Sequence, residues 1–154
     1  MPRPIATFPL PDEQATDRLA EALAPRLGPG DTLLLSGPIG AGKSHFARHL
    51  IRTRLGRNTD VPSPTYTLVQ TYEDPAADIW HCDLYRLGSP DEALELGLDE
   101  AFGTALCLIE WPDRLGELIP TGALTLAFDP GQEIHEVTLS GADPWPARLE
   151  GLDA

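Results

Sequence analysis

A lysine and a serine stand side by side at the end of a glycine-rich segment, where they could bind phosphate and a magnesium ion. The segment, Gly37-Pro38-Ile39-Gly40-Ala41-Gly42-Lys43-Ser44, matches G-x-x-x-x-G-K-[ST], the P-loop pattern. Its glycines let backbone amides form a concave phosphate cradle, which the N-terminus of a following helix extends. Lys43 is the only lysine of the chain and would supply a compact charge to the outer phosphates, while the Ser44 hydroxyl would ligate Mg²⁺. We therefore expect a nucleotide phosphate site formed by residues 37–44 and the adjoining His45.

Two carboxylates at the ends of apolar runs could complete such a site. Glu110 ends the run 106–110, where a Walker B acid would stand, and Asp83 stands at or near the end of another strand, within the β-rich run 79–85. In α/β sheets, ligands gather beyond the carboxyl ends of the central strands. Each acid could hold Mg²⁺ through water or orient an attacking water, and the sequence does not separate these roles.

Three further side chains can be interpreted either as functional or as purely structural. Thr65 follows two prolines and could act as a switch-loop hydroxyl for Mg²⁺ or the γ-phosphate, or simply begin a strand. Trp111 could stack near the nucleotide or cap the core. His81 is interpreted as a packed or surface histidine rather than a base. The chain has no Asn-Lys-x-Asp pattern for guanine, so we expect ATP as the nucleotide.

The elements around the P-loop follow the required order of strand, loop and helix. Residues 31–36 form an apolar run of strand length, and apolar residues then recur at helical spacing until Gly56. Earlier, residues 12–24 form an amphipathic pattern. Later, two hairpins are expected at about 66–85 and 124–139, and Ser89 is expected to cap a short helix. We predict an α/β fold: a three-layer P-loop NTPase-like domain with a mixed sheet that is parallel in its centre.

Length, charge and cysteine content narrow the class of protein. The 154 residues are expected to form a single domain over residues 1–142, followed by a mobile or surface-docked tail at 143–154. The net charge of −13 argues against a broad nucleic-acid surface and against anionic membranes. Four arginines on or just after the P-loop helix (Arg48, Arg52, Arg54 and Arg57) are expected to form a solvated face. Cys82 and Cys107 are expected to be buried thiols, so we predict a reduced, cytoplasmic location.

Several segments together resemble the bacterial TsaE (YjeE) ATPases, which serve threonylcarbamoyladenosine modification of tRNA. The likeness spans about residues 5–140, with small departures at Cys82 and Asp113. Beyond the P-loop it is carried by Pro62-Ser63-Pro64-Thr65-Tyr66-Thr67-Leu68, His81-Cys82-Asp83-Leu84-Tyr85-Arg86-Leu87 and Leu108-Ile109-Glu110-Trp111-Pro112-Asp113-Arg114.

The resemblance implies a small ATP hydrolase that works inside a complex. Its expected partners are a TsaD-like transferase and a TsaB-like scaffold subunit, with tRNA reached through them, and its activity alone is expected to be weak. By resemblance, Thr65 is a switch-loop residue, Asp83 and Glu110 are the Mg²⁺ and catalytic acids, and Trp111 is a neighbour of the nucleotide. Two alternatives remain open: a small-molecule P-loop kinase and a non-hydrolysing nucleotide sensor.

Overall fold

The computed structural model describes residues 3–38, 41–56, 61, 68–131 and 133–152. Within these residues, seven strands form one sheet. The strands are β1 (Arg3–Leu10), β2 (Thr32–Ser36), β3 (Val69–Tyr72), β4 (Ile79–Asp83), β5 (Leu106–Glu110), β6 (Leu124–Asp129) and β7 (His135–Gly141). The helices are α1 (Glu13–Leu23), α2 (Lys43–Leu55), α3 (Pro90–Glu95), α4 (Leu98–Thr104) and α5 (Trp145–Arg148), with 3₁₀ turns at Ala24–Arg26 and Pro112–Leu118.

The sheet is parallel in its centre and antiparallel at both sides, as the sequence predicts. Its strand order is β1-β7-β6-β2-β5-β4-β3. The strands β6, β2, β5 and β4 are mutually parallel, whereas β3 pairs antiparallel with β4 and the β6–β7 hairpin extends antiparallel to β1. Because parallel strands end at the same edge, β2, β4 and β5 present their carboxyl ends together.

Helices cover both faces of the sheet and complete the three layers. On one face, α1 and α2 pack their apolar residues, such as Leu19 and Phe46, against Leu33, Leu35 and Leu108. On the other face, α3, α4 and the second 3₁₀ turn cover the alternate residues of the same strands, including both cysteines. Cys82 and Cys107 are therefore buried free thiols, as expected, and burial raises the pKa of the Cys107 thiol to about 12.

Local sequence signals explain the bounds of the two helices nearest the P-loop. The Asp12 carboxylate accepts a hydrogen bond from the Ala15 amide at 2.8 Å and so caps α1. The glycine Gly42 begins α2 in a left-handed conformation, with φ of 104°, and Gly56 ends it. The two helices pack side by side on the same face of the sheet.

One local expectation is wrong, and a second holds only in part. Arg54 is not part of a solvated face: it pairs with Asp74 at 2.9 Å and donates to the carbonyls of Ala24 and Leu27. Its long side chain reaches back over the end of α1, so it joins α2 to the 24–27 segment and to the loop that holds Asp74. Ser89 does stand at the N-cap of α3, but its side chain makes no capping hydrogen bond, and the Glu92 carboxylate instead accepts from the Gly88 amide at 3.2 Å. Arg57 lies outside the described residues.

The expected tail contributes an aromatic side chain to the core in its described part, residues 143–152. Trp145 is only 1% exposed and its indole donates to the Gly122 carbonyl at 2.7 Å. Arg148 forms a two-pronged ion pair with Asp31, which fixes the segment beside the start of β2. No described helix combines the length and apolar character that a membrane span requires.

Candidate phosphate site

The strand registers bring the two candidate acids to one edge of the sheet. Asp83 and Glu110 are direct register partners on β4 and β5, and Leu35, just before the end of β2, pairs with Glu110. The loop that follows β2 is the P-loop segment. Both acids therefore lie at the same edge as Lys43 and Ser44, as the sequence predicts from their positions at strand ends.

The described part of the P-loop has the backbone shape that its glycines permit. Gly37 has φ of 132°, and a Cβ there would lie 2.3 Å from the Phe128 carbonyl oxygen. The first hydrogen bond within α2 runs from the Phe46 amide to the Gly42 carbonyl at 3.0 Å. The amides of Lys43, Ser44 and His45 thus precede it, at the end of the helix that favours anions. Ile39 and Gly40 lie outside the described residues.

Lys43 is 5% exposed and its ammonium lies inside the site. Its Nζ donates to the Gly37 carbonyl at 2.5 Å and lies 3.6 Å from the centre of the Trp111 ring. Burial lowers the pKa of Lys43, while the negative charges of Glu110, Asp83 and Asp113 act in the opposite direction. A buried ammonium of this kind is poised to gain from an anionic ligand.

Glu110 is 2% exposed and both of its carboxylate oxygens are occupied. Ser44 Oγ donates to Oε1 at 2.7 Å, and His81 Nε2 lies 2.7 Å from Oε2. Burial alone would raise the pKa of Glu110, but the hydrogen bonds and charge from His81, the Ser44 hydroxyl and the charge of Lys43 together lower it. Glu110 is therefore an ionised acceptor that joins the P-loop helix to β4.

An aromatic pair lies beside this cluster. Trp111 adopts the left-handed backbone conformation, with φ of 61°, directly after β5, so its ring turns over Lys43. The Tyr85 ring lies 5.0 Å from that of Trp111 and is itself partly exposed. The Asp83 carboxylate accepts from the Tyr85 amide at 3.0 Å, which fixes the turn after β4.

One predicted site residue in the described part of the chain does not join this cluster. His45 turns toward α1, where its Nε2 lies 2.7 Å from Asp17 Oδ1. It borders a separate cavity of about 300 Å³ on the α1 side of the P-loop. Thr65 and the segment 62–67 lie outside the described residues.

The contact that His81 makes was not predicted from the sequence. Of the expected packed or surface positions, His81 takes the packed one, and its partner is the candidate acid Glu110. The available signal was strand alternation, because Ile79, His81 and Asp83 share one face of β4, toward α2. The pairing of β4 beside β5 was also needed, and no sequence pattern specified it.

The donors at the site are suited to a hard cation held with phosphate. Ser44 Oγ and the carboxylates of Asp83 and Glu110 are oxygen ligands, which Mg²⁺ prefers, and Mg²⁺ beside a nucleotide needs only one or two of them. Among the described residues, no group of three or more His, Cys, Asp or Glu side chains has the geometry of a metal centre. The arrangement fits a magnesium ion that is bound together with its nucleotide.

Comparison with known proteins places the chain in a family. The family model described as TsaE, threonylcarbamoyl adenosine biosynthesis protein, matches residues 10–137. The chain belongs to the TsaE family. The TsaE protein of Rickettsia bellii is 47% identical over 112 residues, which cover 73% of this chain and 78% of that protein. The TsaE protein of Bacillus subtilis is 36% identical over 129 residues, covering 82% and 80%.

The fold of the chain is also similar to a solved structure. The crystal structure of Bacillus subtilis YdiB superposes with a TM-score of 0.81 at 27% identity, covering 99% of this chain and 95% of that one. The segment matched by the TsaE family model contains the P-loop, His81, Asp83 and Glu110. The α/β architecture with a P-loop at the sheet edge is thus the fold of a TsaE-family protein.

Proposed function

We propose that this TsaE-family protein binds ATP with Mg²⁺ and hydrolyses it to support threonylcarbamoyl transfer to adenosine in tRNA. The transfer itself is assigned to a partner complex of a TsaD-like transferase and a TsaB-like scaffold subunit. The observation that carries the proposal is the buried cluster in which Lys43, Ser44 and Glu110 meet at the P-loop. The net charge of −13 fits a protein that reaches tRNA through partners rather than by its own surface.

Each side chain of the cluster has a role that follows from its chemistry. Lys43 and the amides at the start of α2 would bind the phosphates, and Ser44 with Asp83 or Glu110 would hold the cation. Bound Mg²⁺ neutralises charge on the phosphate oxygens. Glu110 is ionised and buried, so it could accept a hydrogen bond from the attacking water and orient it.

The cavity beside the P-loop offers room for the nucleoside. It is bordered by Ala41 and Gly42 and lies on the α1 side of the P-loop, and Glu110 is not among its lining residues. Acidic side chains, among them Asp12, Glu13 and Glu133, line it, which disfavours phosphate there and suits the donor groups of ribose or adenine. We therefore assign the phosphates to the strand edge and the nucleoside to this cavity.

The proposal is tested by following ATP labelled on the γ-phosphate, with and without TsaD-like and TsaB-like proteins from the same source. We expect slow release of labelled phosphate by the chain alone and faster release with the partners, because neither Arg86 nor Arg114 stands in an evident lid over the P-loop. Label that moves to a small metabolite would instead indicate a kinase. Absence of turnover under every condition would indicate a nucleotide sensor.

Replacing Glu110 separates binding from hydrolysis. Glu110→Ala should keep ATP affinity, since Lys43 and the helix amides remain, but reduce turnover by about 100-fold or more. Affinity is measured with a non-hydrolysable ATP analogue and turnover by phosphate release. A variant that hydrolyses ATP at the wild-type rate would remove Glu110 from the mechanism.

A further inference from the structure

His81 is a fully buried histidine in direct contact with the candidate catalytic acid. Its exposed fraction is 0%, and its Nε2 lies 2.7 Å from Glu110 Oε2. Buried histidines are costly unless their nitrogens find partners, so a contact of this length carries information about the ring's orientation. The neighbouring carboxylate Asp83 is on the same strand and accepts from the Tyr85 amide.

The direction of this hydrogen bond is fixed by its acceptor. An ionised carboxylate can only accept, so the hydrogen lies on His81 Nε2 whether the ring is neutral or charged. The other ring nitrogen, Nδ1, is buried and has no hydrogen-bond partner in the part of the chain that the structure describes. There, Glu110 is the group that holds the imidazole by hydrogen bonding.

Glu110 is consequently held from two separate elements. Ser44 belongs to α2 and donates to one oxygen, while His81 belongs to β4 and donates to the other. A glutamate side chain has several freely rotating bonds, and fixing both oxygens leaves it one orientation. Under the proposed function, Ser44 also serves the cation, whereas His81 has no second task and remains a constant support for Glu110.

We propose that His81 is a positioning residue that holds the Glu110 carboxylate in its working orientation for ATP hydrolysis. This inference rests on the proposed function. His81 is enclosed by the sheet and α2, so it acts through Glu110 and does not itself touch the nucleotide. Supporting residues of this kind typically change activity by about 10- to 100-fold when they are removed.

Three variants test the proposal by comparing turnover with nucleotide affinity. His81→Leu removes the donor and should lower kcat by about 10- to 100-fold, with the affinity for a non-hydrolysable ATP analogue unchanged. His81→Gln offers an amide N–H near the position of Nε2 and should recover much of that loss. Cys82→Ala, on the same strand but facing the opposite core, is the matched control and should keep the wild-type kcat.

A measurement on the nucleotide-free protein tests the contact independently of activity. In long-range ¹H–¹⁵N spectra, the signals of His81 are assigned as those that His81→Gln lacks. The Nε2 of His81 should carry a proton whose resonance is shifted downfield by its hydrogen bond. Glu110→Ala removes the acceptor and should abolish that shift. A wild-type Nε2 without a proton would overturn the proposal.

The kinetic outcomes distinguish a failure of the positioning role of His81 from a failure of the proposed ATP hydrolysis. If wild type hydrolyses ATP and His81→Leu does so with the same kcat, the positioning role alone is overturned. A loss in His81→Leu that His81→Gln does not recover, or that Cys82→Ala shares, shows a packing effect and also overturns it. Absence of wild-type turnover with and without partners overturns the proposed function itself, and the positioning role with it.

Discussion

Lys43 and Glu110 carry opposite charges in one buried cluster, and each affects the ionisation of the other. Burial lowers the pKa of the ammonium, while the carboxylate opposes that change. The ammonium in turn helps to lower the pKa of Glu110 against its own burial. The pair keeps both charges inside the site, where a triphosphate and its cation would supply the complementary ones.

In the described part of the chain, the Lys43 ammonium donates to the neutral Gly37 carbonyl and lies against the Trp111 ring, so phosphate should be a better partner. Lys43→Ala should therefore weaken ATP binding by about 10- to 100-fold. Arg18→Ala removes one positive charge from the exposed side of α1 and serves as the charge-matched control. Calorimetric titration that gives equal affinities for wild type and Lys43→Ala would contradict the assignment.

The lowered pKa of Glu110 makes part of the stability depend on pH. A carboxyl whose pKa is lowered on folding stabilises the protein when the pH is above the ordinary pKa of the group, 4.5. That contribution is lost as the pH falls through the lowered pKa. We expect the free energy of unfolding of wild type, relative to Glu110→Gln, to fall as the pH drops below about 5 and through the lowered pKa of Glu110. Urea denaturation across this range measures the difference. A difference that stays constant with pH would show that folding does not shift the pKa.

At the scale of elements, the sequence predicted the parts of the site that follow from strand ends and from the P-loop. Glu110 and Asp83 were predicted to lie beside the phosphate loop because parallel strands end at one edge. The contact between His81 and Glu110 was not predicted, because it depends on which strand lies beside β5. The 3₁₀ turn at Pro112–Leu118 was also missed, since it follows a left-handed Trp111 that no propensity favours.

The junction of β2 with the P-loop depends on the absence of a side chain at Gly37. A Cβ there would meet the Phe128 carbonyl at 2.3 Å, and φ is in a region that favours glycine. Gly37→Ala should therefore destabilise the fold by about 1–3 kcal/mol or more. Gly28→Ala is the matched control, because a Cβ at Gly28 meets open space. Equal denaturation midpoints for the two variants would show that the junction relaxes freely.

At the scale of the whole molecule, the described end of the chain is packed against the domain. Trp145 lies in the core on the side of α1 and α2, and Arg148 stacks over its ring at 4.2 Å while pairing with Asp31. Arg26 in turn donates to the carbonyls of Arg148 and Glu150. The segment 143–152 therefore belongs to the folded unit, although the sequence around it shows little periodicity.

Removing the Trp145 indole should show how much the segment 143–152 contributes to the stability of the fold. Trp145→Ala is expected to cost about 3–5 kcal/mol, since it empties a buried site and leaves the Gly122 carbonyl without its donor. Leu94→Ala, on the exposed side of α3, should change stability by about 0.5 kcal/mol or less. Chemical denaturation of both variants gives the comparison, and a Trp145→Ala protein as stable as wild type would mean that the segment is dispensable.

The most direct test of the central claim is a crystal structure of the chain with Mg²⁺ and a non-hydrolysable ATP analogue. We expect the terminal phosphates at Lys43 Nζ and the first amides of α2, with the cation on Ser44 Oγ beside Glu110 and Asp83. A nucleotide bound elsewhere, with the cluster at the P-loop unchanged, would contradict it.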